Sequence, residues 1–158
     1  MLSTLFRISS VLLFCTSVMA NDIYITQSGD SLDLDIVQDG QNNQIEGLSG
    51  SGNAIIYGAN SDVSFNQTGD SNQIRVWSDS SANKNMTANI TGNSNITKID
   101  NHGADNTITT NVTGNNNVTF DEIGNGGDTN NTITTTVNGD SNNTCLLYTS
   151  DAADDVAS

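Results

Sequence analysis

Apolar residues return at every second position along this chain, in short runs that close on a glycine. Ile23, Ile25 and Gln27 share one face before Gly29, and Leu34, Ile36 and Gln38 do the same before Gly40. Val63, Phe65 and Gln67 precede Gly69, with Ile74 and Val76 beyond it; Ala88 and Ile90 precede Gly92. Ile108, Thr110 and Val112 precede Gly114, and Ile133, Thr135 and Val137 precede Gly139, position for position. Such alternation is the signature of a half-buried strand. Helix has little support, because Asn, Gly, Thr and Ser are poor helix formers. The predicted unit is a strand of about five residues followed by a short turn.

The units are copies of one phrase. An Asn stands three residues after the glycine in Gly40-x-x-Asn43, Gly69-x-x-Asn72, Gly92-x-x-Asn95, Gly103-x-x-Asn106, Gly114-x-x-Asn117 and Gly139-x-x-Asn142. The turn glycines are Gly29, Gly40, Gly69, Gly92, Gly103, Gly114 and Gly139, and a degenerate copy lies at 80–83. A short fixed period signals a repeat architecture. No single strand here has enough apolar atoms to hold a hairpin, but stacking supplies a partner for each. The expectation is an all-β fold, a β-solenoid with two strand-turn units, about 22 residues, per coil and coils about 4.8 Å apart. About five coils would stand roughly 25 Å high. Gln27, Gln38, Asn43, Asn53, Gln67, Asn72, Asn95, Asn106, Asn117, Asn130 and Asn142 are then expected to form amide ladders, each donating to one neighbouring copy and accepting from the other. A buried amide is costly when unpaired, which would explain why the repeat is kept.

Composition narrows the functions. There are 18 acidic residues against 4 basic, a net charge of −14, which argues against nucleic acid and anionic membranes as partners. With 24 Asn, 14 Gly and only 5% aromatics, an ordinary close-packed core is hard to build, so order has to come from stacking. Residues 1–20 read as a secretory signal: Arg7, an apolar run from Val11 to Cys15, and Val18-Met19-Ala20 as cleavage site. That run is too short to cross a bilayer, so no membrane insertion is expected. The repeat domain is assigned to 21–144. Residues 145–158 break the rule and form a non-repeat tail, either a capping peptide or foreign to the natural chain.

Turn acids Asp30, Asp70, Asp128 and Asp140 are candidate charge gatekeepers, because carboxylates stacked about 5 Å apart repel and would delay assembly. His102 is the only histidine and has no partner at catalytic or metal-ligating spacing. No enzyme, metal or cofactor is expected. Thr107, Thr109, Thr110, Thr134 and Thr136 resemble the threonine rows of ice-binding solenoids, without register to the earlier coils. Tyr24, Tyr57 and Trp77 are candidate outward contacts.

Gln27-x-Gly29, Gln38-x-Gly40-x-x-Asn43 and Gln67-x-Gly69-x-x-Asn72 together resemble the curlin repeat of curli amyloid subunits, a Gln-x-Gly-x-x-Asn pattern in copies of about 22 residues. From residue 90 onward the Gln slot holds Ile90, Asn101, Val112, Ile123 or Val137. The resemblance implies a secreted structural subunit of extracellular amyloid fibres on a Gram-negative cell, serving biofilm matrix and adhesion. It implies as partners further copies of the chain, a nucleating curlin-like subunit and outer-membrane secretion machinery. The competing expectation is a monomeric secreted β-solenoid that binds a surface, ice or carbohydrate.

Overall fold

A computed structural model describes residues 20–78, 85–124 and 130–148. Its elements are all strands: β1 (Asp22–Ile23), β2 (Ile25–Ser28), β3 (Ile36–Asp39), β4 (Gln44–Gly47), β5 (Ala54–Tyr57), β6 (Phe65–Thr68), β7 (Gln73–Ser78), β8 (Asn85–Thr91), β9 (Ile96–Asn101), β10 (Thr107–Thr113), β11 (Val118–Ile123), β12 (Thr132–Asn138) and β13 (Asn143–Tyr148). Every pairing is parallel. Sheet A runs β1-β4-β7-β9-β11-β13, with β2 on β5 and β5 on β7; sheet B runs β3-β6-β8-β10-β12. The chain passes from one sheet to the other and back in each coil. This is a β-solenoid of about five coils.

The coils are uneven. Asn21, Asn43, Asn72, Asn95, Asn117 and Asn142 mark one corner, at steps of 22, 29, 23, 22 and 25 residues. The second coil, residues 43–71, is the long one, and the expected two equal units do not describe it. Its sheet-A strand is split: β4 lies on Gln73–Val76 of β7, and Ile55 and Ile56 of β5 lie on Trp77 and Ser78. Residues 48–53 loop out between them.

Packing follows the alternation. The strip between the sheets holds Ile45, Ile56, Ile74, Val76, Ile99 and Ile123 from sheet A. Facing them are Phe65, Met86, Ile90, Ile108 and Val112 of sheet B. Side chains in register stack into columns, for example Met86, Ile108 and Ile133. The Gln slot is such a column: Gln38 under Gln67, Ile90 above it, then Val112 and Val137. Gln27 is not in it; it lies in sheet A, paired with Ile56. The repeat also runs past the expected boundary at 144. Thr144 to Tyr148 continue as β13 in register with Thr119 to Ile123, leaving Leu147 and Tyr148 exposed on the last strand.

Candidate functional site

The corner from sheet B to sheet A is where the Gly-x-x-Asn phrase does its work. Gly40, Gly69, Gly92, Gly114 and Gly139 sit in one column, so close that a Cβ built on any of the first four would lie 1.9–2.1 Å from the carbonyl oxygen of the glycine above. Two residues on, Asn42, Ser71, Ser94, Asn116 and Ser141 take φ of 56–59°, the left-handed conformation that short polar side chains tolerate. The Asn at the third position then closes the corner. Its Oδ1 accepts the backbone N–H of the next Asn up: Asn43 from Asn72, Asn72 from Asn95, Asn95 from Asn117 and Asn117 from Asn142, at 2.9–3.1 Å. Its Nδ2 donates to the glycine carbonyl of that next coil, Gly69, Gly92, Gly114 and Gly139 in turn, at 2.7–2.8 Å. Asn43, Asn72, Asn95 and Asn117 are fully buried, so these bonds replace the water the groups gave up.

Sequence reasoning missed the lowest rung. Asn21 accepts the Asn43 N–H at 2.9 Å and donates to Gly40 O at 3.2 Å. Its signal was available, since Asn21 lies 22 residues before Asn43, but no glycine precedes it. Other expected rungs stand elsewhere. Asn53 is exposed and donates to Thr26 Oγ1 at 2.7 Å. Asn130 takes φ 60° in the opposite corner, and its neighbour Asn131 gives its N–H to Asn106 Oδ1 at 2.9 Å. The coil there is three residues longer than the one below, which shifts the slot by one. Gln38 and Gln67 do not bond to each other. Each reaches across the core to a sheet-A carbonyl, Asp22 at 3.4 Å and Gln44 at 3.1 Å, and the buried Oε1 of Gln67 accepts nothing. Above Gln67 the slot holds Ile90, which offers no amide to bond to. Gly103 is not a left-handed turn residue; Asp105, at φ 56°, takes that part.

A second column stands one residue after the glycines: Gln41, Asp70, Asn93, Asn115 and Asp140. Here the bonds run the other way. Gln41 N–H donates up to Asp70 Oδ1, Asp70 N–H to Asn93 Oδ1, Asn93 N–H to Asn115 Oδ1 and Asn115 N–H to Asp140 Oδ1, at 2.7–2.9 Å. The expected stack of repelling acids is therefore not formed. Asn93 and Asn115 separate Asp70 from Asp140, and each carboxylate is an acceptor for a turn N–H. Asp30 belongs to the opposite corner and accepts the Ala59 N–H at 2.8 Å. Asp128 lies outside the described residues.

Inside the solenoid one carboxylate breaks the pattern. Asp121 of β11 is fully buried in the middle column. Two hydroxyls from the facing sheet donate to it, Thr110 of β10 and Thr135 of β12, the latter at 2.7 Å. Burial pushes its pKa up from the ordinary 3.8, and the two hydroxyl bonds offset that in part. On the outside of sheet A, His102 Nε2 lies 2.8 Å from Asp100 Oδ1 and its ring sits 6.5 Å from that of Trp77. Among the described residues no three His, Cys, Asp or Glu side chains cluster as a metal site.

The outer faces of the two sheets differ. Sheet A carries charge and aromatic rings, with Arg75 paired to Glu46 at 3.1 Å and Lys98 over Phe120 at 5.8 Å. Sheet B from β8 to β12 presents only Thr and Asn outward, and these are in register: Thr87, Thr109 and Thr134 form one row, and Asn85, Thr107 and Thr132 another. Asn66, Asn89 and Asn111 add an outer amide ladder at 3.1–3.2 Å. The threonine rows thus have the register to the coil below that the sequence did not reveal. No protein-family model, curated protein or solved structure matches this chain.

Proposed function

We propose that this chain is a secreted structural subunit that polymerises by stacking the last coil of one molecule on the first coil of the next. The fibre would serve as matrix and adhesive at a cell surface, as the curlin-like phrase implies. The observation that carries this reading is the directional corner ladder. It adds one identical step per coil, and its rule can be extended beyond either end. One further step would set the Asn21 N–H of a second molecule on Asn142 Oδ1 and lay β1 of that molecule on β13. A heterologous contact of this kind does not close, so it propagates as a filament. Parallel strand edges are the template such growth uses. Further copies of the chain are the principal partners in this reading, with a nucleating relative and an export machinery as accessory ones. The test is to incubate the chain from Asn21 onward. Fibres with a cross-β pattern, reflections near 4.8 Å and 10 Å, are expected. A species that stays monomeric by sedimentation at high concentration overturns the proposal.

The uncharged, in-register Thr and Asn face of sheet B favours a second reading, a solenoid that binds an ordered surface such as ice or extended carbohydrate through that face. Replacing Thr109 with Lys discriminates. It would abolish such binding and leave end-to-end growth intact.

A further inference from the structure

The second coil departs from the repeat in one place, and that place holds a sizeable cavity with an apolar lining. Residues 48–53 leave sheet A between β4 and β5 and close on themselves, with Gly47 N–H on Gly52 O at 3.0 Å and Gly50 N–H on Gly47 O at 2.9 Å. Arg75 of the next coil braces the loop from above. Its guanidinium would lie 2.8 Å from a Cβ on Gly50, and it is fixed by Glu46 at 3.1 Å and by Gln73 Oε1 at 2.6 Å. The loop overhangs Trp77, the only tryptophan of the chain, which is 37% exposed. Between them lies a cavity of about 460 Å³, lined by Leu48, Ser49, Ser51, Asn53, Ile55 and Trp77 with the backbone of two glycines.

We infer that this cavity is a binding site for a neutral sugar ring. Three independent features of the loop and its lining support this. A repeat protein stacks at no benefit from an insertion, and insertions in solenoids collect on the binding face. An indole beside hydroxyl and amide groups is the chemistry that recognises a pyranose: the π face attracts the C–H face of the ring and the rim bonds to its hydroxyls. Ser49, Ser51 and Asn53 supply that rim, and Asn53 is already oriented by its bond to Thr26 Oγ1. Finally, no lining residue is charged although the chain carries −14; beside the lining, Glu46 and Arg75 pair with each other and Asp100 lies against His102. That selects against charged ligands. The site lies on the side of the coil and is independent of end stacking. In a filament it would recur once per subunit and bind a polysaccharide with avidity.

Because Trp77 is the only tryptophan, its emission reports on this site alone. The full chain is titrated with cellobiose, maltose and N,N′-diacetylchitobiose up to about 10 mM, tenfold above a dissociation constant of 1 mM. At least one is expected to give a saturable shift in emission. By calorimetry, Trp77→Ala should weaken that binding at least tenfold, and Trp77→Phe should hold it within about threefold, since a smaller ring still stacks. Leu48→Asp, on the exposed loop and away from the stacked strands, should abolish it while leaving the circular dichroism unchanged. No saturable response to any of the three sugars overturns the inference. So does undiminished binding by Leu48→Asp, or a glucuronate disaccharide binding more tightly than all three. Sugar binding by a chain that forms no fibres would leave this site standing and remove the polymer.

Discussion

At Gly92 a methyl group has nowhere to go. A Cβ there would lie 1.9 Å from Gly114 O, and the backbone φ is +119°. Both the stack above and the local conformation resist any side chain. Gly92→Ala is therefore expected to cost about 3 kcal/mol or more, from strain and forced separation of two coils. Gly52→Ala makes a control: φ is +73° but nothing stands within 4 Å, so only the conformational part, about 1 kcal/mol, should appear. Urea titration of both variants checks this. Asn95→Ala orphans two backbone groups at once, the N–H of Asn117 and the carbonyl of Gly114. A loss of about 2–6 kcal/mol is expected there, because each unsatisfied buried group costs about 1–3 kcal/mol. The exposed Asn53→Ala should move stability by no more than about 0.5 kcal/mol. The Gly-x-x-Asn spacing was legible in the sequence because a covalent period becomes a spatial column once coils stack. What the side chains bond to was not. Gln67, inside β6, reaches across the core to Gln44 O, whereas Asn72, at the corner, bonds to the coil above.

Between elements, β11 meets β10 and β12 through Asp121, whose carboxylate has hydroxyls but no cation against it. The inward neighbours are Ile99 of β9, Thr110 of β10, Thr135 of β12 and the flanking Thr119 and Ile123, none of them titratable. With its pKa raised by burial, the folded chain holds a proton that the unfolded chain releases. Stability must then fall as pH rises from 3.8, the unfolded value, through the raised folded value, and recover on acidification. Asp121→Asn keeps a donor and an acceptor for the two threonines and cannot ionise. Thermal unfolding of both proteins across pH 4–8 should show a slope in the parent that is shallower in the variant. Equal slopes would mean that Asp121 does not titrate in this range. The repeat leaves room for β11 after Asn117, yet nothing in the sequence marks Asp121 as facing inward. Alternation leaves either face open in a run such as Val118-Thr119-Phe120-Asp121, and only pairing with β9 settles which side is the core. The split of the second coil was hidden for a similar reason. A turn at Gly50 looks like any other turn until its flanking strands are seen to share one sheet with β7.

For the whole molecule, the fold class was readable because period two within units and a fixed period between them leave few other ways to bury so little apolar surface. How molecules meet is set by the ends. Asp22, Asp30, Asp33, Asp35 and Asp39 crowd the first coil with no basic residue among 21–39, whereas Asp140 is the only charged residue from 130 to 148. In the proposed fibre, repulsion between subunits would arise mainly from the first coil and the net −14, not from stacked turn acids. Raising salt from about 0.1 M to about 1 M shortens the screening length from about 10 Å to about 3 Å and should speed fibre elongation. The last coil offers a sharper test. In sheet B, Gly139 N–H points down to Thr113 O and Thr107 N–H points up to Asn131 O. By the same alternation the N–H groups of Thr134 and Thr136 face the open end of β12, and their side chains point outward. Proline at those two positions removes donors that a next molecule needs and touches none that hold β12 to β10. The double variant Thr134→Pro, Thr136→Pro should fold as a monomer with a melting temperature near that of the parent, elongate at least tenfold more slowly, and cap parent fibres when added to seeds. If it elongates at the parent rate, growth does not use that end, and the ladder within the molecule has no counterpart between molecules.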